Sequence, residues 1–383
     1  MTRRALLSAA APLLAAASLR IEKLEWLPIQ ATARTWWLNL RLTTNTGLSG
    51  LGEASDGFGL TPAVGEYAER QEAEVRRVFA AVQGQYLPNL LNVRKKMHRE
   101  ILAKGLTTAT AVSALEQAAM DIEAKRQGKA LVDLLGARKR DAIPVYANIN
   151  RAAKPRTPEG FVQVAKRAWA DGFRAVKLAP FDGGAPVPLG IDCVYAVREA
   201  LGPQAQIMVD AHSFFEVDSG IALAKKLEGA KLTWLEEPVA PERVADTAAI
   251  RRKVSMPMAG GETLYGVEGF AALCRTRAVD TIMPDVKHCG GLREMMAIAR
   301  MAARFGIMVA PHNPSGPVAT AHSLAVCGAM ANCNFLEIQY GEVEWRARTI
   351  SPNEAISNGL MKISNLPGCG VELSNPASYE IQN

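Results

Sequence analysis

The chain has 383 residues, of which 49% are hydrophobic and 21% charged, a balance that describes a soluble globular protein with room for two domains. Its formal charge is +6, yet the basic residues are scattered, with short runs only at Arg94-Lys95-Lys96 and Arg251-Arg252-Lys253. The absence of an aromatic-interleaved basic patch argues against nucleic acid as a partner and leaves mild steering of small anions.

At the amino terminus, Thr2-Arg3-Arg4 opens a basic segment, Ala5 to Ala17 is a short apolar run, and Ala15-Ala16-Ala17 offers a small-residue cleavage site. The Arg pair followed by Ala-Leu-Leu resembles a twin-arginine export signal, which implies a periplasmic or secreted protein. A start codon misassigned upstream of a cytoplasmic enzyme is the alternative. The run is too short for a membrane anchor, and no other long apolar run occurs.

From Leu19 the pattern turns strand-like. Ile21–Leu27 and Thr35–Leu42 form two runs, Thr44-Asn45-Thr46-Gly47 supplies a turn, and Leu48–Glu53 returns as a third strand. Helices are predicted over 65–82 and 93–103, and Val112, Leu115, Ala119 and Ile122 mark one apolar helical stripe. After Arg140 the pattern changes to alternating strand and helix. Candidate strands are Ile143–Asn148, Ala175–Ala179, Gln206–Ala211, Leu232–Glu236, Met256–Gly260, Thr281–Asp285, Gly306–Pro311 and Phe335–Ile338. Eight strands separated by amphipathic stretches predict an α/β fold, a (β/α)-barrel of modified TIM type with an α+β capping domain. The domains are then a signal segment at 1–18, a cap at 19–140 completed by 350–383, and a catalytic barrel at 141–349. The six cysteines, from Cys193 to Cys369, show no CxxC pair and no zinc spacing, and read as core residues.

Three successive strands end on acids: Asp210, Glu236 and Glu262, spaced by 26 residues each time (236 − 210 and 262 − 236). In a parallel barrel their C-terminal ends surround one mouth, so three carboxylates converge. Unpaired they would repel one another, and a hard divalent cation, Mg²⁺, is the natural resolution. The other polar strand ends carry Lys177, His212, Glu237, Asp285, His312 and Glu337. Of five histidines, two fall at strand ends; His98 and His322 read as structural or solvated, and His288 as a weaker site candidate.

These residues resemble the enolase superfamily, in particular its mandelate racemase subgroup. The likeness rests on Val209-Asp-Ala-His212, Trp234-Leu-Glu-Glu-Pro238, Ala259-Gly-Gly-Glu-Thr263, Met283-Pro-Asp285 with Gly290-Gly291, Val309-Ala-Pro-His312 and Leu336-Glu337, together with the helix Val112–Lys125. It implies Asp210, Glu236 and Glu262 as Mg²⁺ ligands and Asp285–His312 as a catalytic dyad. It also implies Glu337 as a hydrogen-bond donor to a substrate carboxylate, and a cap closing over the mouth through loops near Pro28–Thr35 and Ala54–Leu60. A homo-oligomer is implied as well.

The chemistry is consistent with these roles. A proton α to a carboxylate is weakly acidic, so charge developing on the oxygens must be stabilised by the cation, Lys177 and a protonated Glu337. Asp285 is expected to orient His312 and raise its basicity. Where family members that work on both faces of the α-carbon carry Lys-x-Lys, this chain has Lys177-Leu178-Ala179, which disfavours racemisation by a Lys/His pair. Asp210-Ala-His212 instead resembles the Asp-x-His arrangement of galactonate dehydratase. That implies dehydration of a sugar acid, with His212 protonating the departing hydroxyl and a 2-keto-3-deoxy acid as product. An epimerase or cycloisomerase, or a sugar-acid binding protein without turnover, are the competing readings. The leader makes a separate prediction: protein purified from its native cell should begin near Ser18 or Leu19 on amino-terminal sequencing, and an intact Met1 would show that the segment is retained.

Overall fold

The computed structural model describes residues 19–56 and 64–374. The segment expected to direct export, and part of the second expected cap loop, lie outside the described residues. The chain opens with a three-stranded antiparallel sheet, β1 (Ile21–Thr32), β2 (Thr35–Thr44) and β3 (Ser49–Glu53), in that order. Strands β1 and β2 run longer than predicted, so the region Pro28–Thr35 is the tip of a hairpin turning at Ala33-Arg34. Helices α1 (Val64–Ala80), α2 (Leu87–Leu91), α3 (Val93–Lys104), α4 (Leu106–Arg126) and α5 (Leu131–Leu135) follow.

Helix α4 joins the two halves of the molecule. Every residue from Thr108 to Glu123 is buried, so the single apolar stripe read from the sequence is only one of its covered faces. Its small residues meet the cap sheet at backbone distance: a Cβ on Gly50 would lie 2.3 Å from the Ala118 carbonyl oxygen, and one on Gly52 would lie 2.1 Å from that of Ala114. The edge of β3 is closed by the same helix, with Leu51 N donating to Asp121 Oδ2 at 2.9 Å and Glu53 N to Gln117 Oε1 at 3.1 Å. An edge strand's unpaired amides are thereby satisfied without a fourth strand.

The barrel follows as β4 (Ala142–Asn148), β5 (Ala175–Leu178), β6 (Gln206–Asp210), β7 (Trp234–Glu236), β8 (Met258–Gly260), β9 (Thr281–Ile282), β10 (Met308–Val309) and β11 (Leu336–Gln339). These strands pair in parallel from β4 to β10, and β11 pairs with β4. A bridge between Val309 and Cys333 closes the ring between β10 and the approach to β11. Seven helices fill the seven gaps: α6 (Pro158–Ala170), α7 (Val187–Leu201), α8 (Val217–Leu227), α9 (Val244–Arg251), α10 (Gly266–Thr276), α11 (Leu292–Ala303) and α12 (Pro317–Ala329). A shell of Val, Ile, Leu and Ala packs between strands and helices. Inside the ring lies a separate layer formed by Tyr146, Ala175, Met208, Trp234, Ala259, Met283 and Ala310, with Phe335 against it. Tyr146, Trp234 and Phe335 meet edge-on at centroid separations of 5.7–6.2 Å, filling the barrel below its mouth.

The carboxy-terminal segment divides its contacts. Leu360–Lys362 pairs antiparallel with β4 of the barrel, while Cys369 N bonds Asp121 Oδ1 at 2.7 Å and Lys125 bonds Glu372 on the cap side. At the mouth, Thr35 of the hairpin tip donates to Glu342 at 2.5 Å, and Arg151 reaches the same carboxylate at 3.0 Å. The cap tip thus meets loops that follow β4 and β11. Glu53 makes a second joint: its carboxylate accepts from Gly316 N and Ala319 N, each at 2.7 Å, at the start of α12. Among the described residues, no helix is long and apolar enough to cross a membrane.

The close approach of β3 to α4 gives a stability prediction. Gly52→Ala should destabilise the protein by about 1–3 kcal/mol, because backbone rather than a flexible side chain must move. Urea denaturation followed by circular dichroism measures it, and an unchanged midpoint would contradict this packing.

Candidate active site

The period of two along a strand builds the site from the barrel's interior layer. Tyr146, Ala175, Met208, Trp234, Met283, Ala310 and Phe335 face inward, and two residues further on stand Asn148, Lys177, Asp210, Glu236, Asp285, His312 and Glu337. Each side chain one layer up is therefore aimed at the mouth. Glu262 departs from the rule by one residue, lying three after Ala259. There Gly261 takes a φ of +108°, a backbone conformation that readily admits only glycine, and Glu237 Oε1 accepts from Gly261 N at 2.6 Å and Glu262 N at 3.2 Å. Glu237, a residue of no stated role in the sequence, thus fastens the loop that presents Glu262.

Asp210, Glu236 and Glu262 are all buried, and oxygens of the three lie within 4.8 Å of one another. Burial first, and then the neighbouring Asp210, push the Glu236 carboxyl well above the usual carboxylate range. Burial and the charges of Glu237 and Asp210 do the same to Glu262. Three anionic oxygen donors under this mutual repulsion are the donor set that a hard divalent cation satisfies, so these residues fit a metal ion. Trp234 Nε1 steadies Glu236 from below, donating to Oε2 at 3.0 Å.

Lys177 is buried beside the triad, its Nζ 2.7 Å from Glu236, 3.0 Å from Glu337 and 3.4 Å from Asp210. Burial opposes its charge, but the surrounding carboxylates raise its pKa well above the ordinary lysine value. Glu337 lies buried among hydrogen-bond donors. Its oxygens accept from Asn148 Nδ2 at 2.7 Å, Asn313 N at 2.9 Å and Lys177; burial disfavours its charge, while Lys177, His312 and the Asn313 amide shift the carboxyl downward. Three donors thus face its oxygens in this arrangement.

Two histidines approach the triad. His312 Nδ1 lies 2.8 Å from Asp285 Oδ2, and Nε2 lies 3.2 Å from Glu262 Oε2. Burial lowers its pKa, while the hydrogen bond and charge of Asp285 act in the opposite direction. His212 Nε2 lies 3.1 Å from Asp210 Oδ2 and Nδ1 lies 2.6 Å from Asp182 Oδ1. Burial would lower this imidazole, but Asp210 and Asp182 raise it well above the usual value. The two remaining buried histidines join cap to barrel: His288 Nδ1 pairs with Thr110 Oγ1 at 2.7 Å, and His322 Nε2 with the Leu51 carbonyl at 2.9 Å.

The family comparisons agree with this architecture. Residues 160–377 match the family described as enolase C-terminal domain-like, and residues 23–136 match the mandelate racemase/muconate lactonizing enzyme N-terminal domain. The chain belongs to the mandelate racemase/muconate lactonizing enzyme family of the enolase superfamily. Among its relatives, D-galactarolactone cycloisomerase of Agrobacterium fabrum is 32% identical over 71% of this chain and 74% of that protein. D-gluconate/D-galactonate dehydratase of Picrophilus torridus is 30% identical over 87% of this chain and 85% of that protein. A mandelate racemase/muconate lactonizing enzyme-like protein from Rubrobacter xylanophilus superposes with a TM-score of 0.84 at 30% identity, over 94% of this chain and 97% of that one. As a member of this superfamily the chain is an enzyme, with a barrel and cap of the family's kind.

Several neighbours of this family's site were missed in the sequence. Lys287 is fully buried, donating to Asp285 Oδ2 at 2.6 Å and to Ser315 Oγ, and so ties the loop after β9 to the loop after β10. A lysine amid Val286, His288, Cys289 and two glycines was its only signal. Asn148 stands at the end of β4, but as an uncharged residue it did not register among acids and bases. Asp182, three residues beyond Ala179 in a Gly-rich turn, carried no motif at all. Removal of one ligand tests the cation site. Glu236→Gln should weaken binding of Mg²⁺ or Mn²⁺ by roughly tenfold or more in calorimetric titration, with an unchanged far-ultraviolet spectrum. Undiminished binding would remove Glu236 from the ligand set.

Proposed function

We propose that the protein is a Mg²⁺-dependent hydro-lyase that removes water from a sugar acid to give a 2-keto-3-deoxy acid. The observation that carries this reading is the disposition of the two histidines. His212 follows the third strand of the ring and His312 the seventh, which are diametrically opposed in a ring of eight. Each turns Nε2 toward one flank of the acidic triad, His212 to Asp210 and His312 to Glu262, while its Nδ1 is held by an aspartate outside the triad. An elimination needs a base on one side of a carbon pair and an acid at the departing hydroxyl.

Asp210, Glu236 and Glu262 would hold the cation, which supplies electrophilic stabilisation of the substrate carboxylate as the α-proton leaves. His312, neutral and oriented by Asp285, receives that proton at Nε2. Lys177 contributes a fixed positive charge near the carboxylate oxygens, and its own orientation is set by Glu337 and Glu236. His212, protonated, gives its Nε2 proton to the β-hydroxyl as the carbon–oxygen bond breaks. Water departs, and the enol tautomerises to the keto acid. The relatives named D-gluconate/D-galactonate dehydratase and D-xylonate dehydratase support a polyhydroxy monoacid as substrate class. A cycloisomerase is the second reading, favoured by the 32% identity to D-galactarolactone cycloisomerase.

A panel of open-chain acid sugars and their lactones, each incubated with the protein and Mg²⁺, separates the two, since dehydration yields a 2-keto acid from an open-chain acid with loss of water, whereas a cycloisomerase acts on the lactone. Among variants, His212→Asn should still exchange the substrate α-proton with solvent deuterium, while dehydration falls by about 10²- to 10⁴-fold. His312→Asn should lose both. Exchange that survives in His312→Asn but not in His212→Asn would reverse the two roles.

A further inference from the structure

We infer that Asp182 is a positioning residue for His212, so that the site contains a second His–Asp pair opposite Asp285–His312. This rests on the reading of His212 as the group that meets the departing hydroxyl. Asp182 belongs to a single tight turn, Asp182–Gly184, that follows β5, where Gly183 and Gly184 have φ of 71° and 76°. Its Oδ1 lies 2.6 Å from His212 Nδ1, and its Oδ2 lies 3.4 Å from Arg156 Nη2. Arg156 is itself fixed, donating to the Asn150 carbonyl at 2.9 Å and to the Ala179 carbonyl, with its guanidinium 5.2 Å from the Phe161 ring centre. The carboxylate is therefore held from behind, with its free edge turned to the imidazole.

The backbone at His212 is held as firmly. His212 and Ser213 have φ of 41° and 59°, consecutive left-handed residues that are not glycine. Such a conformation persists only where its surroundings over-determine it, and it recurs at functional sites. Here His212 N donates to Asp210 Oδ1 at 3.0 Å and Ser213 N to the Glu237 carbonyl at 2.7 Å. These bonds fix where the ring begins but not how it turns about Cβ–Cγ. Asp182 fixes that turn. With Nδ1 bound, Nε2 is the nitrogen that faces the triad, as in His312, whose Nδ1 lies 2.8 Å from Asp285. A surface acid paired only with Arg156 would have no such 2.6 Å contact to a ring already aimed at Asp210.

The test uses the full chain with Mg²⁺ and two substitutions. Asp182→Ala should lower kcat for dehydration by roughly 10- to 100-fold, with KM little changed and deuterium exchange at the α-carbon retained. Asp182→Asn keeps an oxygen that can accept from Nδ1–H and should recover most of the loss. On metal-free and Mg²⁺-loaded protein labelled with ¹⁵N-histidine, the His212 ring signals, identified by their absence in His212→Asn, should move in Asp182→Ala and stay close to wild type in Asp182→Asn. Undiminished dehydration in Asp182→Ala overturns the inference. So does a parallel loss of exchange and dehydration, which would mean general damage to the site. Should the wild type dehydrate none of the acids tried, the proposed reaction fails, and the ring signals alone decide: unmoved signals in Asp182→Ala overturn the positioning role, and shifted signals uphold it.

Discussion

Electrostatic repulsion among buried carboxylates is the constraint around which this molecule is arranged. Asp210, Glu236 and Glu262 have oxygens within 4.8 Å of one another at the mouth of the barrel, where little water remains to screen them. Lys177 offsets part of that charge, and Trp234 donates one bond to Glu236. A cation would offset the rest. The order below the mouth follows from the same need, because such a cluster holds its shape only above a rigid floor. The interlocked Tyr146, Trp234 and Phe335 rings provide that floor.

Helix α4 has a comparable role at the junction of the domains. One side packs so closely on β3 that glycines are required there, and another reaches the loop after β9 that carries Asp285. Ser113 Oγ accepts from Gly290 N at 3.0 Å, Glu116 Oε2 from Leu292 N at 2.8 Å, and Thr110 meets His288. The loop behind Asp285 is thereby bonded to the cap's own linking helix. Cap and barrel chemistry are joined through a buried polar seam, which depends on correct geometry more than an apolar contact would.

The proposed chemistry divides the work by environment. Burial shifts the His312 pKa downward, whereas His212 lies between two aspartates that favour its charge. Two like residues thus acquire opposite tendencies from their neighbours, one to accept a proton and one to give it. Lys287 shares Asp285 with His312, since both approach Oδ2, and so joins the base to the loop that bears Ser315.

Much of this was legible in the chain. Eight strand-like runs, the equal spacing of Asp210, Glu236 and Glu262, and the polar residues closing each run identify a barrel mouth, because strand alternation and βα period are local properties that a sequence records directly. The motifs around them were sufficient to recognise the superfamily. Several strands proved shorter than expected, Thr281–Ile282 and Met308–Val309 above all, with only two positions of each paired to its neighbour. What the tertiary structure alone decided is which groups face one another. Asp182 meets His212 across 30 positions and Asn148 meets Glu337 across 189, and no periodicity encodes either pairing. The surroundings of Glu337 were likewise invisible, since its donors are brought from three separate strand ends. Residue type and spacing determine what can stand at the mouth; closure of the ring determines the partners, and through them the charge each group carries.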